Sequence, residues 1–151
     1  MNEEFDRFEE HMANEELEPY EVFAKHMEEK YPAMFSQPYG GFAVGEGWWP
    51  ILESLCGQIQ HHIDWKNKQS VIVAQVTVAQ IKEKFGGLRF YIYGGDEYIR
   101  GMIAFAESMS YKTCESCGNP GKVGGKGWIT TLCVPCREEK DKKEAEWRKN
   151  V

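Results

Sequence analysis

Apolar residues recur at helical spacing through most of the chain and alternate in one short stretch, and these two periods sketch the fold. Asn2 is a good N-cap, and Phe5, Phe8 and Met12 then fall at i, i+3 and i+7, which predicts a short acidic helix. A second helix starts near Pro19, carries Val22, Phe23, His26, Met27 and Tyr31 on one stripe, and ends before Pro32. A third begins at Pro50, with Leu52, Leu55, Cys56, Ile59 and Ile63 inward. A fourth follows an Asp96 cap, with Ile99, Met102, Ile103, Ala106 and Met109 inward. Between them, the β-branched run 70–76 predicts a strand. Thr77 with Gln80 reads as a capping box opening a two-turn helix on Val78, Ile81 and Phe85, closed by Gly86 and Gly87. Leu88–Tyr93 alternates as a strand, Leu88, Phe90 and Ile92 on one side and Arg89, Tyr91 and Tyr93 on the other. The pattern is α+β: a helical N-terminal half, then a small sheet with helices around it.

The segment 37–50 fits neither period. It interleaves glycines with Tyr39, Phe42, Trp48 and Trp49, which suggests an irregular loop whose backbone comes close to something. Its aromatics either pack on the core or offer a surface to a ligand or partner. The face of Arg89, Tyr91 and Tyr93 poses a similar choice. An arginine flanked by aromatic rings suits a phosphate or a nucleobase, and the alternative is a strand covered by the N-terminal helices.

The strongest chemical signal is Cys114-x-x-Cys117 and, fifteen residues on, Cys133-x-x-Cys136, the spacing of a tetrahedral zinc site. Four protein ligands close such a site to an activated water, so the expected zinc, one per chain, is structural. Cys114 and Cys117 lie on a turn, the glycines from 124 to 127 lead into a short strand at 128–132, and Cys133 and Cys136 open a helix reaching Arg148. Pairs Glu138/Lys142, Glu139/Lys143 and Glu144/Arg148 support that helix. The chain of 151 residues then divides into an α+β core at 1–110 and a zinc module at 111–151, packed on the core or appended to it. Cys56 is left over and reads as a small buried apolar residue.

Knuckle, hairpin and helix with a ligand pair at each end resemble the treble-clef zinc fold over residues 111–149. Treble clefs include nucleic-acid binders, docking modules and nucleases. The nuclease variant needs a histidine near the hairpin, and this chain has none after His62. The stretch Gln80–Tyr91 followed by the two CxxC pairs also resembles small uncharacterised proteins of tailed phages and prophages. That resemblance implies a viral setting in a bacterial cytoplasm and transfers no catalytic residue.

Composition and charge bound the function. With 42% hydrophobic and 13% aromatic residues, the chain can build a core. No apolar run suggests a membrane span or secretion signal, so a cytoplasmic protein is expected. The net charge of −6 divides as −8 over residues 1–35, −1 over 36–110 and +3 over 111–151. The acidic end suits a basic host protein or simply solvated surface. The leading expectation is a non-enzymatic, zinc-stabilised binding protein of phage origin. It would act on host machinery, defence systems included, through a host protein or a captured small nucleotide ligand; self-association is left open. One alternative is nucleic-acid binding by the zinc module, through Lys112, Lys122, Lys126, Arg137, Lys140, Lys142 and Lys143. Another is an enzyme centred on His61, Asp64 and Cys56.

Overall fold

The computed structural model describes residues 16–151 and has an α+β architecture. The expected helix over Phe5, Phe8 and Met12 lies outside the described residues. Helix α1 (Pro19–Lys30) has proline in its first turn and a capping box between Glu18 and Glu21. Its inner stripe is Phe23 and Met27, continued by Tyr31 and Met34, whereas Val22 and His26 face outward. A 3₁₀ turn at Glu46–Trp48 leads into α2 (Trp49–Lys68), which buries Leu52, Leu55, Cys56, Ile59 and Ile63, the predicted set. Helix α3 (Glu97–Ser110) is capped by Asp96, whose carboxylate accepts the Ile99 amide at 3.0 Å.

The sheet is where periodicity misled. Thr77–Lys84 is a strand, β2, between the short β1 (Phe42–Ala43), to which it is parallel, and the antiparallel β3 (Gly87–Tyr93). A bulge between Val78 and Gln80 explains the error. One extra residue rephases the alternation, so Val78 and Ile81, three apart, both face the core and imitate a helical stripe. Phe85 is not on an inner face. It sits at φ 52° in a two-residue turn with Gly86 at φ 80°, the left-handed pair that matches the twist of a hairpin, and its ring is exposed. The predicted strand at 70–76 is also absent. Val73 and Val76 are buried, but the Val73 amide goes to the Asn67 side chain at 2.9 Å and the Ala74 carbonyl to the Gly95 amide at 3.0 Å. A side chain and a loop amide, rather than a neighbouring strand, take up these backbone groups, so no ladder forms here.

Helix α3 lies along the outer edge of β3. Ser110 Oγ accepts the Leu88 amide at 2.9 Å and Glu107 Oε1 the Phe90 amide at 3.2 Å, so side chains cover the donors an edge strand would present. The C-terminal segment adds a hairpin, β4 (Lys122–Gly124) with β5 (Thr130–Leu132), and α4 (Val134–Lys149). Trp128 and Ile129 precede β5 and are exposed. On α4 the ion pairs are Glu139–Lys143 at 3.0 Å and Lys140–Glu144 at 3.5 Å. Among the described residues no helix is long and apolar enough to cross a membrane.

Asp96 does two jobs, since its other oxygen meets His62 Nε2 at 2.8 Å. Replacing Asp96 by alanine should therefore lower stability by about 1–2 kcal/mol, the worth of a good cap. An unchanged urea midpoint would show that the cap contributes nothing.

Candidate functional site

The four predicted ligands converge. The Sγ atoms of Cys114, Cys117, Cys133 and Cys136 all lie within 4.8 Å of one another, close enough to hold one metal ion, and Cys117 and Cys133 are 3.6 Å apart. A tetrahedral zinc thiolate site with bonds of about 2.3 Å needs sulfur–sulfur edges of about 3.8 Å, so the donor set fits. A disulfide, at about 2.05 Å, does not describe these pairs.

Local backbone chemistry builds this geometry. The Gly118 amide returns to the Cys114 carbonyl at 2.9 Å, and Gly118, at φ 83°, takes a conformation glycine adopts freely. The Cys114 amide goes to Asn119 at 2.7 Å and the Glu115 amide to Thr131 at 2.9 Å, which ties the knuckle to β5. Cys133 caps α4 and Cys136 lies in its first turn, where the helix dipole favours a thiolate. Arg137 then joins hairpin to helix, donating to the carbonyls of Lys122 at 2.9 Å and Thr130 at 3.0 Å.

The cluster's electrostatics call for a cation. Burial pushes the Cys114 thiol up, but hydrogen bonds from the backbone of Cys133, Cys117 and Ser116 outweigh it and hold the group down at about 6. Cys136 goes the opposite way, to about 12, through the neighbouring Cys133 thiol and then burial. One thiolate forms readily, and several side by side need a positive ion between them.

The glycine-rich loop comes close to this knuckle. The Gly45 amide donates to Glu115 Oε2 at 3.0 Å, the Gly47 amide to the Glu115 carbonyl at 2.8 Å, and Trp48 Nε1 to the Thr113 carbonyl at 2.9 Å. A Cβ on Gly47 would run into the Cys114 carbonyl and the Gly118 amide, so glycine is needed there for space. The knuckle is thus keyed into the core by three hydrogen bonds, to the Glu115 carboxylate and to the carbonyls of Glu115 and Thr113.

This placement changes the reading of the aromatic loop. Trp48 is fully buried and Phe42 nearly so, the latter in a cluster with Phe23, Phe35 and Tyr39. Trp49 stacks on Phe23 at 4.6 Å, and its buried indole N–H has no partner among the described residues. Tyr39 donates its hydroxyl to Glu28 and is half-buried. These rings are core packing, and the loop does not present Phe42 or Trp48 to a ligand.

The strand face fares differently. Tyr91 and Tyr93 are 43% and 68% exposed, so α1 does not cover this side. Among the described residues Arg89 pairs with no carboxylate of the N-terminal segment; it donates to the Tyr111 hydroxyl at 3.0 Å and the Leu88 carbonyl at 2.9 Å. The strand register brings Lys82 opposite Arg89 and Gln80 opposite Tyr91, and Lys82 Nζ lies 5.6 Å from the centre of the Tyr91 ring. Lys84 follows on the same face by alternation. Sequence inspection found Arg89, Tyr91 and Tyr93 but missed Lys82 and Lys84, because a predicted helix hid their alternation. Glu83 belongs to the opposite parity, and its carboxylate accepts the Gly86 amide at 2.9 Å. The face carries three cations, and β2 and β3 contribute no carboxylate to it.

The residues of the enzyme reading do not assemble. Asp64 accepts from Gln60 at 3.0 Å rather than orienting His61, and the histidines with a carboxylate partner are His62, on Asp96, and His26, on Glu53. Cys56 is fully buried, and desolvation pushes its thiol up to about 12, far from nucleophilic range. Of the basic residues in the zinc module, Lys126, Arg137 and Lys140 line one cleft with Trp128 and Arg148, and Asp141 and Glu144 share it. Lys112, Lys122, Lys142 and Lys143 are not among its lining residues. Comparisons with protein-family models, curated proteins and solved structures returned no match.

Proposed function

We propose that this is a non-enzymatic binding protein, stapled by one structural zinc ion, that captures a ligand built of nucleotide units on the open face of its sheet. The observation that carries the reading is the juxtaposition of Arg89, Lys82 and Lys84 with two exposed tyrosine rings on a face to which β2 and β3 add no negative charge. Cations at that spacing suit phosphates, and exposed aromatic rings suit bases. Zinc is the metal because four thiolates in a closed tetrahedral set are its characteristic donors. The setting follows the resemblance to proteins of tailed phages: a bacterial cytoplasm in which capture of a nucleotide signal, or occupation of a host protein, would counter host machinery.

Calorimetry on the zinc-loaded protein tests the reading, using nucleoside phosphates, cyclic nucleotides and short oligonucleotides. Binding heat with at least one class, reduced about tenfold or more in affinity by Arg89→Ala together with Lys82→Ala, is the expected outcome. No heat with any class would sink it.

A second reading, nucleic-acid binding by the zinc module, is favoured by the cleft beside α4, where Trp128 is 70% exposed. Arg137 in that cleft already spends donors on two carbonyls, and two acids offset its lysines.

A further inference from the structure

We infer that the ligand of the sheet face is a single-stranded nucleic acid, bound across β2 and β3 as several consecutive nucleotides; this deepens the function proposed above and rests on it. Shape is the first argument. The clefts between α2 and α3 and around the hairpin and α4 are lined by residues elsewhere, and the rings of Tyr91 and Tyr93 are exposed among the described residues. An open face touches a mononucleotide on one side only. Affinity on such a surface comes from repetition, with several bases stacking on several rings while the backbone tracks a line of cations.

The spacing is repetitive in this sense. Tyr91 and Tyr93 lie two residues apart on one strand, roughly 7 Å, so each ring offers its own platform. Lys82 and Arg89 are register partners across the strands, one step along from the Gln80–Tyr91 pair. Cations and rings therefore succeed one another along the strand direction. Arg89 is held in place by Tyr111 and the Leu88 carbonyl, with only two of its five donors used, so its remaining donors are pre-positioned for a phosphate. Gln80, exposed opposite Tyr91, adds an amide that can donate to or accept from a base edge.

The neighbouring features exclude rival modes. The free amides of the β3 edge are taken by Ser110 and Glu107, so a peptide cannot add there as a strand through Leu88 and Phe90. A duplex would present its stacked bases only by their edges, which leaves two open tyrosine platforms without a partner. Unstacked bases of a single strand use them.

Fluorescence anisotropy on the zinc-loaded full chain tests the inference, with labelled ten-nucleotide oligo-dT and oligo-U, a labelled duplex of the same length, and the matching mononucleotides as competitors. The expected result is binding of one or both single strands, weaker for the duplex, with mononucleotides competing at least a hundredfold less well. Tyr91→Ala and Tyr93→Ala should each weaken binding about five- to hundredfold, and Tyr91→Phe should leave it within about twofold. Lys82→Ala and Arg89→Ala should each lower the salt dependence by about one ion. All these side chains are at least partly exposed, and a circular dichroism spectrum like that of the parent protein confirms folding. Mononucleotides competing as well as the ten-mers would overturn the inference and leave the proposed nucleotide capture standing. Tighter duplex binding, or loss on Trp128→Ala with none on the tyrosine substitutions, would move the site to the zinc module and overturn it as well. No binding of either single strand would overturn the inference, and the absence of calorimetric heat with the mononucleotides as well would remove the proposed function with it.

Discussion

Replacing Cys114 by serine should release the metal and unfold the C-terminal segment. Little else holds that segment together: Leu132 is its one strongly buried aliphatic side chain, Thr130 and Thr131 are buried but polar, and α4 buries no residue. Structural zinc supplies about 10–16 kcal/mol in isolated zinc-finger peptides, more than such a small apolar nucleus can offer. The parent protein should carry one zinc per chain, Cys114→Ser close to none, and amide exchange across 111–149 should lose its protection. Cys136→Ser should behave alike, because a three-thiolate site opens to solvent. A Cys114→Ser protein that kept a full equivalent of zinc and its exchange pattern would defeat the metal assignment.

The loss should also reach the core, since the Trp48 indole is bonded to the Thr113 carbonyl just before the first ligand. Trp48→Ala is accordingly the largest single-site destabilisation expected in the body. The ring is fully buried, and removing such a side chain costs about 3–5 kcal/mol, a large share of the roughly 5–15 kcal/mol that holds a typical domain. It also leaves the Thr113 carbonyl without its indole donor. Trp48→Phe keeps most of the apolar contact and should cost less. Gly47→Ala presses the knuckle from the same side and should lower stability and zinc affinity together, because the added methyl meets Cys114 and Gly118 backbone atoms that cannot move independently of the ligands. Urea unfolding read by tryptophan fluorescence, with zinc release followed in parallel, measures all three. A Trp48→Ala midpoint within about 1 kcal/mol of the parent would contradict the interlock.

Helices were the most legible part of the fold. The stripe on α2, that on α3 except for Met109, which is exposed at its end, the prolines opening α1 and α2 and the Asp96 cap are all local signals, decided within a turn or two of chain. The strand β2 was not legible, because its bulge reproduces at Val78 and Ile81 a helical spacing, and only pairing with β3 shows where the extra residue sits. That mistake also hid part of the candidate site. Once Thr77–Lys84 is a strand, Lys82 and Lys84 join Arg89, Tyr91 and Tyr93.

Residue spacing alone picked out the four cysteines that lie close enough to hold a metal ion, because thiolate coordination is short-ranged and each CxxC pair is a local turn. Tertiary structure alone decided what the aromatic residues do. A tryptophan in a glycine-rich loop looks the same in sequence whether it faces water or a core, and burial depends on chain segments far away. Here Trp48 meets Thr113, 65 residues on, and goes inside, while Tyr91 and Tyr93 stay exposed among the described residues.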